Sequence, residues 1–423
     1  MSVTKSSRDL RQEQCVQRWL NTRGKGTIVA ATGFGKSRAA TIIIGHILSK
    51  FPDKRILIVV PTITLKEQWT GIIDKLGFSL NCDIQVINTI ISRSWECDLL
   101  IIDECQRVAA DTFSKVFLCV TYKLILGLTA TFERLDGKHE TIAKYCPVCD
   151  TVSLTECLLN GWISPYKLYF VLVDVDDIEQ YKTYNKQFVE TFGFFNFEFD
   201  LAMSMKGPKG YLAQINYRDK LCGKDCSEEK KKEVLKAIKF HSARFTDLMK
   251  LRKKFINNHP KKIELAQQII EARPFSKIVT FSNNVDMAKS VGFGDVYTGK
   301  TSKKKGEEII QRFNNEPTGV LNTCFRANEG LDIKGLSVGI VLGTNSSSIQ
   351  GTQRIGRICR FEEGKQAEMF YIIINHTVEV DWAVKANSKQ EYKFIDEKGL
   401  QDVLNGKEPA SYCDVITKST YRY

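Results

Sequence analysis

Apolar residues gather into short runs at 27–29, 56–60, 84–87, 99–102 and 123–128, unbroken at 56–60 and 99–102, and between several of these runs they recur every third or fourth position. An unbroken apolar run suits a strand covered on both faces, and the 3.6-residue rhythm suits a helix laid over it. Helices are therefore predicted over 38–48 and 64–73, and an amphipathic stretch ending at Trp19 precedes the first strand. Strand and helix alternate, which is the pattern of a parallel α/β sheet. The pattern starts again with strands at 277–282, 296–299 and 319–322 and helices over 286–291 and 304–313.

Between the two series the texture changes. Residues 169–175 alternate as a strand, then Phe188, Phe192, Phe194, Phe195, Phe197 and Phe199 crowd together. Lysine and arginine dominate from Lys206 to Lys254, on what reads as one loop and two long helices. The expected division is a first α/β unit over 1–166, an accessory insertion over 167–272, a second unit over 273–390 and a charged helical tail over 391–423. Phenylalanines at close spacing form a core more often than a base-stacking wedge, while the cations suit phosphate contact for the region as a whole.

Composition narrows the partners. With 43% hydrophobic and 26% charged residues the chain is globular, and no apolar run approaches the roughly 20 residues of a membrane span. The N-terminal residues are polar and lack a signal-peptide core, so a cytoplasmic location is expected, the host cytoplasm for a phage-encoded chain. The 13 cysteines are scattered, as free thiols in a reducing compartment would be. Cys146 and Cys149 are a close pair, but Cys222 and Cys226 are distant and lie in a lysine-rich segment, so no structural zinc is expected. The net charge of +12, from 61 Lys and Arg against 49 Asp and Glu, favours a polyanionic partner.

Chemistry collects at the ends of the predicted strands. Ala30-Ala31-Thr32-Gly33-Phe34-Gly35-Lys36-Ser37 joins a strand to a helix, keeping the second half of the pattern G-x-x-x-x-G-K-[ST] with Ala30 at its first position. Backbone N–H groups and a helix N-terminus converge there on an anion, Lys36 reaches β- and γ-phosphates, and Ser37 offers a hydroxyl to Mg²⁺. Upstream, the amide of Gln14 has the donor and acceptor needed to read an adenine edge. A second apolar strand ends in Asp103-Glu104-Cys105-Gln106, delivering one carboxylate for Mg²⁺ and one for the attacking water. Thr129 and Thr131 follow the next strand and are placed to sense what those acids bind. Far downstream, Arg357 and Arg360 share a helix face at i and i+3, fit to neutralise charge on a transferred phosphoryl group.

Together with Gln353-Arg354-Ile355-Gly356-Arg357 and Glu329-Gly330-Leu331-Asp332, this order resembles a superfamily 2 helicase, and residues 127–137 are most similar to the XPB-type repair and UvsW-type phage branch-migration helicases. The resemblance implies two tandem RecA-like P-loop domains flanking the insertion, with ATP and Mg²⁺ held between them. It implies that Thr32, Gly33, Phe34, Gly35, Gly330 and Asp332 join the nucleotide site. Gln353, Arg357 and Arg360 complete it. It further implies that Thr62, Thr89 and Thr323 grip the nucleic-acid backbone, and that Gln106, where relatives often have His, links to Thr129 or Thr131. The expected activity is that of a monomeric ATP-dependent helicase or translocase on single-stranded, forked or branched DNA, in repair, recombination or replication. An RNA remodeller and a motor subunit of a restriction, transcription or packaging assembly are the competing readings.

Overall fold

The computed structural model describes residues 5–108, 113–132, 137–223, 226–324, 333–344, 348–388 and 390–410. Gly330 and Asp332 lie outside the described residues, as does the side chain of Gln353. The first unit is a sheet of β1 (Lys25–Ala30), β2 (Ile56–Val60), β3 (Cys82–Val86), β4 (Trp95–Asp103), β5 (Val120–Thr129) and β6 (Val148–Val152), all parallel, in the order β3-β2-β4-β5-β1-β6. Every residue of β2 is buried, as a run of Ile, Leu and Val demands. The strand order matters for chemistry. It places β4, β5 and β1 side by side, with Asp103 opposite Leu128 and Val29 opposite Thr129, so residues from three separate stretches share one sheet edge. Three helices frame that edge: α1 (Ser7–Asn21), α2 (Lys36–Lys50) and α3 (Ile63–Lys75).

The second sheet contains β7 (Tyr166–Val173), β8 (Lys277–Ser282), β9 (Asp295–Tyr297), β10 (Gly319–Cys324), β11 (Leu336–Val341), β12 (Ala367–Ile374) and β13 (Lys393–Ile395), again parallel, in the order β13-β7-β12-β11-β8-β10-β9. This corrects the expected boundaries at two places. β7 pairs with β12 along its whole length, from Tyr166 to Val173, so it belongs to the second unit rather than to the insertion. Its residues from Leu168 to Val173 are all buried, as in a strand covered on both faces, and it is paired on both edges. The expected tail supplies that second neighbour: β13 pairs with β7, and the following helix Glu397–Leu404 buries Leu400 and Val403.

The helix Pro260–Glu271 also packs on the second sheet, through Leu265, Ala266, Ile269 and Ile270. Its Lys262 is fully enclosed and donates to both carboxylate oxygens of Glu379, at 2.6 and 2.7 Å. Glu379 belongs to His376-Thr377-Val378-Glu379, and the Thr377 hydroxyl caps the helix Val378–Ala386.

What remains of the insertion is helical: Ile178–Gly193, Phe199–Ser204, Tyr211–Cys222 and the long helix Glu228–Asn258. Phe188, Phe192, Phe195 and Phe245 form its core, with Phe195 and Phe245 fully buried. Most of the crowded aromatics are therefore packing residues, and Phe197 and Phe199 remain about half exposed, at 42% and 51%. The lysine-rich helix is amphipathic. Ile238, Phe245 and Leu248 face inward while Lys232, Lys236 and Lys239 stay exposed.

Candidate active site

The phosphate loop is held in shape by α1 and by its own phenylalanine. Gly33 and Gly35 adopt φ of +95° and +97°, which L side chains disfavour, and a Cβ on Gly35 would come within 2.6 Å of the Gln12 amide. Phe34 is fully buried, its ring 5.6 Å from that of Trp162. The carbonyl of Phe34 accepts from Arg8 Nε at 2.8 Å and Gln12 Nε2 at 2.9 Å, and the carbonyl of Gly33 accepts from the Arg8 guanidinium. Drawing these carbonyls outward keeps their negative ends away from an anion in the cradle, while the Phe34 N–H donates to the Ala31 carbonyl at 3.1 Å. Thr32, Lys36 and Ser37 are half-buried around this cradle, and Lys36 Nζ reaches the Ala30 carbonyl at 3.2 Å.

Here the sequence reading needs correction. Gln14 is exposed, whereas Gln12 is buried on the loop, because residues two apart on a helix point about 200° away from each other. The signal was available: Arg8, Gln12, Cys15, Val16 and Trp19 follow the helical stripe, and Gln14 does not.

The acidic edge is a continuous polar chain. Asp103 is buried, its Oδ1 accepting the Glu104 backbone N–H and its Oδ2 the Trp69 indole N–H, each at 2.9 Å. Burial, reinforced by the neighbouring Glu104, pushes the Asp103 carboxyl up to about 6 against the pull of Trp69 and Lys36. Glu104 has φ of +51°, costing about 1 kcal/mol or more for a residue with a side chain. That turn brings its Oε2 within 2.6 Å of Gln106 Nε2. Gln106 is fully buried, and its Oε1 lies 2.6 Å from Thr129 Oγ1, which in turn accepts the Thr131 N–H at 3.0 Å. The link between Gln106 and the threonines, expected only by resemblance, is present as hydrogen bonds. Reasoning from sequence missed Trp69.

The second unit meets the first directly over the phosphate loop. A Cβ on Gly356, in the helix Ser348–Ile358, would fall 2.0 Å from Thr32 Cβ, so only glycine permits this approach. Ser164 N–H donates to the Cys359 carbonyl at 2.9 Å, and Ile163 bridges to Arg360. Arg357 and Arg360, both half-buried, therefore sit on the segment packed against the loop, but they do not share a helix face as expected: the helix ends at Ile358, and Arg360 lies beyond it in the bridge to Ile163.

The expected strand contacts divide. Thr62 caps α3 through its hydroxyl, and Thr89 lies in the short helix Ile87–Ile90; both are half-exposed beyond the ends of β2 and β3. Thr323 is corrected: it is fully buried in β10, its hydroxyl donating to the Thr280 carbonyl at 2.7 Å, so it presents nothing to a strand.

Cys146 and Cys149 lie against β1, Cys149 Sγ 3.3 Å from the Thr27 carbonyl, while Cys222 ends an insertion helix. Among the described residues no three His, Cys, Asp or Glu side chains are grouped to hold a metal, and the described cysteines are free thiols. No helix among the described residues is long and apolar enough to cross a membrane.

Comparison with known proteins agrees with this geometry. Residues 7–92 match the res subunit of type III restriction enzymes, and residues 261–362 match the helicase conserved C-terminal domain. The chain is 28% identical over 391 residues to the DNA 3'-5' translocase XPB2 of Sulfurisphaera tokodaii, covering 87% of this chain and 82% of that one. It is 24% identical over 419 residues to a candidate helicase of a Sulfolobus islandicus filamentous virus, covering 91% and 67%. The fold is similar to that of S. cerevisiae Dbp5 bound to RNA and ADP BeF3, with a TM-score of 0.57 over 93% of this chain and 91% of that one at 12% identity. Two tandem parallel sheets, a phosphate loop beside an acidic strand end, a helix seated on that loop, and the matches to both helicase domain models and to the XPB2 translocase mark the chain as similar to superfamily 2 helicases of the XPB type.

Proposed function

We propose that the chain is an ATP-dependent motor on DNA, converting closure and reopening of the cleft between its two units into steps along a strand, and that it unwinds or branch-migrates forked or branched DNA in repair, recombination or replication. The observation that carries this reading is the hydrogen-bonded series Glu104–Gln106–Thr129–Thr131, which begins at the acid meant for hydrolysis and ends beyond β5, while the Gly356 helix rests on Thr32. A change at the γ-phosphate thus has a short polar route to the neighbouring edge and a direct contact with the second unit.

In this mechanism the loop N–H groups and Lys36 bind the phosphates. Ser37 and Asp103 hold Mg²⁺; Asp103 fits that role because two N–H donors occupy only part of its four lone-pair directions, leaving oxygen valence for a hard hydrated cation. Mg²⁺, when bound, supplies charge neutralisation between the β- and γ-phosphates. Glu104 orients the attacking water, and Gln353, Arg357 and Arg360 stabilise the charge on the transferred phosphoryl group from the other unit. Gly330 and Asp332 border the nucleotide, and Gln12, rather than the Gln14 expected to read the adenine edge, is the glutamine of this helix that touches the loop. Thr62 and Thr89 contact the strand backbone. The DNA assignment rests on the XPB-type relatives and on the basic charge of the chain.

The test is steady-state ATP hydrolysis by the purified chain alone and with single-stranded DNA, duplex, a four-way junction and matched RNA, with Lys36→Ala as the blank. Stimulation by branched DNA that vanishes in the blank is the expected result. Stimulation by RNA alone would replace DNA with RNA as the track, and none by any polymer would overturn the stand-alone motor.

A further inference from the structure

We infer that Trp69 is a positioning residue for Asp103: its indole N–H fixes the carboxylate in the orientation that receives the hydrated Mg²⁺ of Mg·ATP, and α3 ties that orientation to the strand-gripping edge. The inference rests on the reading above that Asp103 serves a nucleotide-bound cation.

Trp69 is 1% exposed, and its Nε1 donates to Asp103 Oδ2 at 2.9 Å. An indole N–H only donates, so this contact suits the ionised carboxylate and cannot satisfy a protonated one that turns its hydroxyl toward the ring. With the Glu104 N–H on Oδ1, the two donors hold both oxygens and fix the carboxylate plane about its last rotatable bond. The ring is enclosed in the main apolar core together with Ile58 and Ile73.

Filling that space does not require a tryptophan. The buried indoles of Trp19 and Trp162 donate to the Ile125 carbonyl and to the Ser7 hydroxyl, both away from the acids. Trp69 alone among these three spends its donor on Asp103.

The helix that carries Trp69 also makes contacts at its other end. α3 starts at Thr62, its cap, and the next residue, Ile63, is 66% exposed beyond the sheet edge. Lys66 and Trp69 follow at i+4 and i+7 from Thr62, on one face, with Lys66 Nζ 3.2 Å from Gln85 Oε1. Glu67 pairs at 2.6 Å with Lys303 of the second unit. A helix is stiff over so few turns, so a strand seated at Thr62, or a shift of the second unit at Glu67, moves the indole and with it the carboxylate.

The test uses Trp69→Phe, which keeps an aromatic ring and removes the donor. Binding of a fluorescent ATP analogue is titrated with Mg²⁺, with and without single-stranded DNA, and also in EDTA. The expected result is that the Mg²⁺ concentration for half-saturation rises about tenfold, as loss of a charge-assisted hydrogen bond implies, while affinity in EDTA is unchanged. DNA is expected to change the Mg²⁺ requirement of the wild type, and that change should shrink in the variant.

A second measurement needs no Trp69 variant. In the ¹⁵N-labelled wild type, the Trp69 indole resonance, assigned by replacing the other four tryptophans one at a time, should shift with Mg²⁺ and ATPγS and broaden when Mn²⁺ replaces Mg²⁺. An unmoved indole, or a folded Trp69→Phe chain with an unchanged Mg²⁺ requirement, would overturn the inference. A wild-type chain that binds no Mg²⁺-nucleotide at all would instead overturn the proposed ATP-dependent function.

Discussion

Two lysine–carboxylate sets, one in each unit, teach opposite lessons. In the second unit Lys262 and Glu379 are both fully enclosed and satisfied: the ammonium has two carboxylate oxygens and the Leu342 carbonyl, and the carboxylate also accepts the Ile374 N–H. In the first unit Lys36 is half-buried and donates to the Ala30 carbonyl, while Asp103 and Glu104 stand side by side as like charges at a strand end. Burial of charge is costly unless it is paired, so the first pair is architecture. The second arrangement leaves a cation and two acids with capacity unspent, which is what a site for a phosphate chain and its metal requires.

The comparison breaks most sharply at the arginines. Arg357→Ala should lower the rate of ATP hydrolysis by about 10³-fold or more with an unchanged melting profile, checked by single-turnover kinetics beside circular dichroism. The opposite signature is expected of the architectural pair. Glu379→Ala should cost about 3–5 kcal/mol of stability in urea titration, because it strands a buried ammonium, whereas replacing both partners with apolar residues should recover most of that loss.

Gly356→Ala probes the place where the two units meet. A methyl group 2.0 Å from Thr32 Cβ must push the helix off the loop, and ATP affinity, read by fluorescence titration, should fall about 10- to 100-fold, the cost of overpacking one methyl group. Gln106→Ala removes the bridge between Glu104 and Thr129 and should reduce DNA-stimulated turnover by about tenfold, with a smaller effect on the DNA-free rate. The smallest effect is expected at the exposed Lys239 of the insertion. Lys239→Ala should leave stability within about 0.5 kcal/mol and reduce the salt-dependence slope of DNA binding by about one, measured by anisotropy at several ionic strengths.

The legibility of the molecule in its sequence follows the range of the forces involved. Phosphate loop and acidic strand end were readable because each is a local run whose chemistry depends on neighbours in the chain: Gly33 and Gly35 before Lys36, and an apolar strand before Asp103, whereas the i and i+3 spacing of Arg357 and Arg360 did not reveal that the helix stops at Ile358, between them. Gln12 was also within reach, since helical phase alone separates it from Gln14. Trp69 and the burial of Thr323 were not, because each depends on a partner from another segment, Asp103 in one case and Thr280 in the other.

By itself, the sequence determined two parallel α/β units, a nucleotide-binding edge on the first and an aromatic, basic segment between the series. Tertiary structure decided where those units begin and end. β7 looked like the start of the insertion because local alternation reports only one strand's own faces, whereas its place between β12 and β13 is set by long-range pairing with strands some 200 residues away. It also decided that the crowded phenylalanines are mostly core, since burial depends on what covers a residue. The helix Glu228–Asn258 covers them with Phe245 and Leu248, leaving its lysines to face solvent.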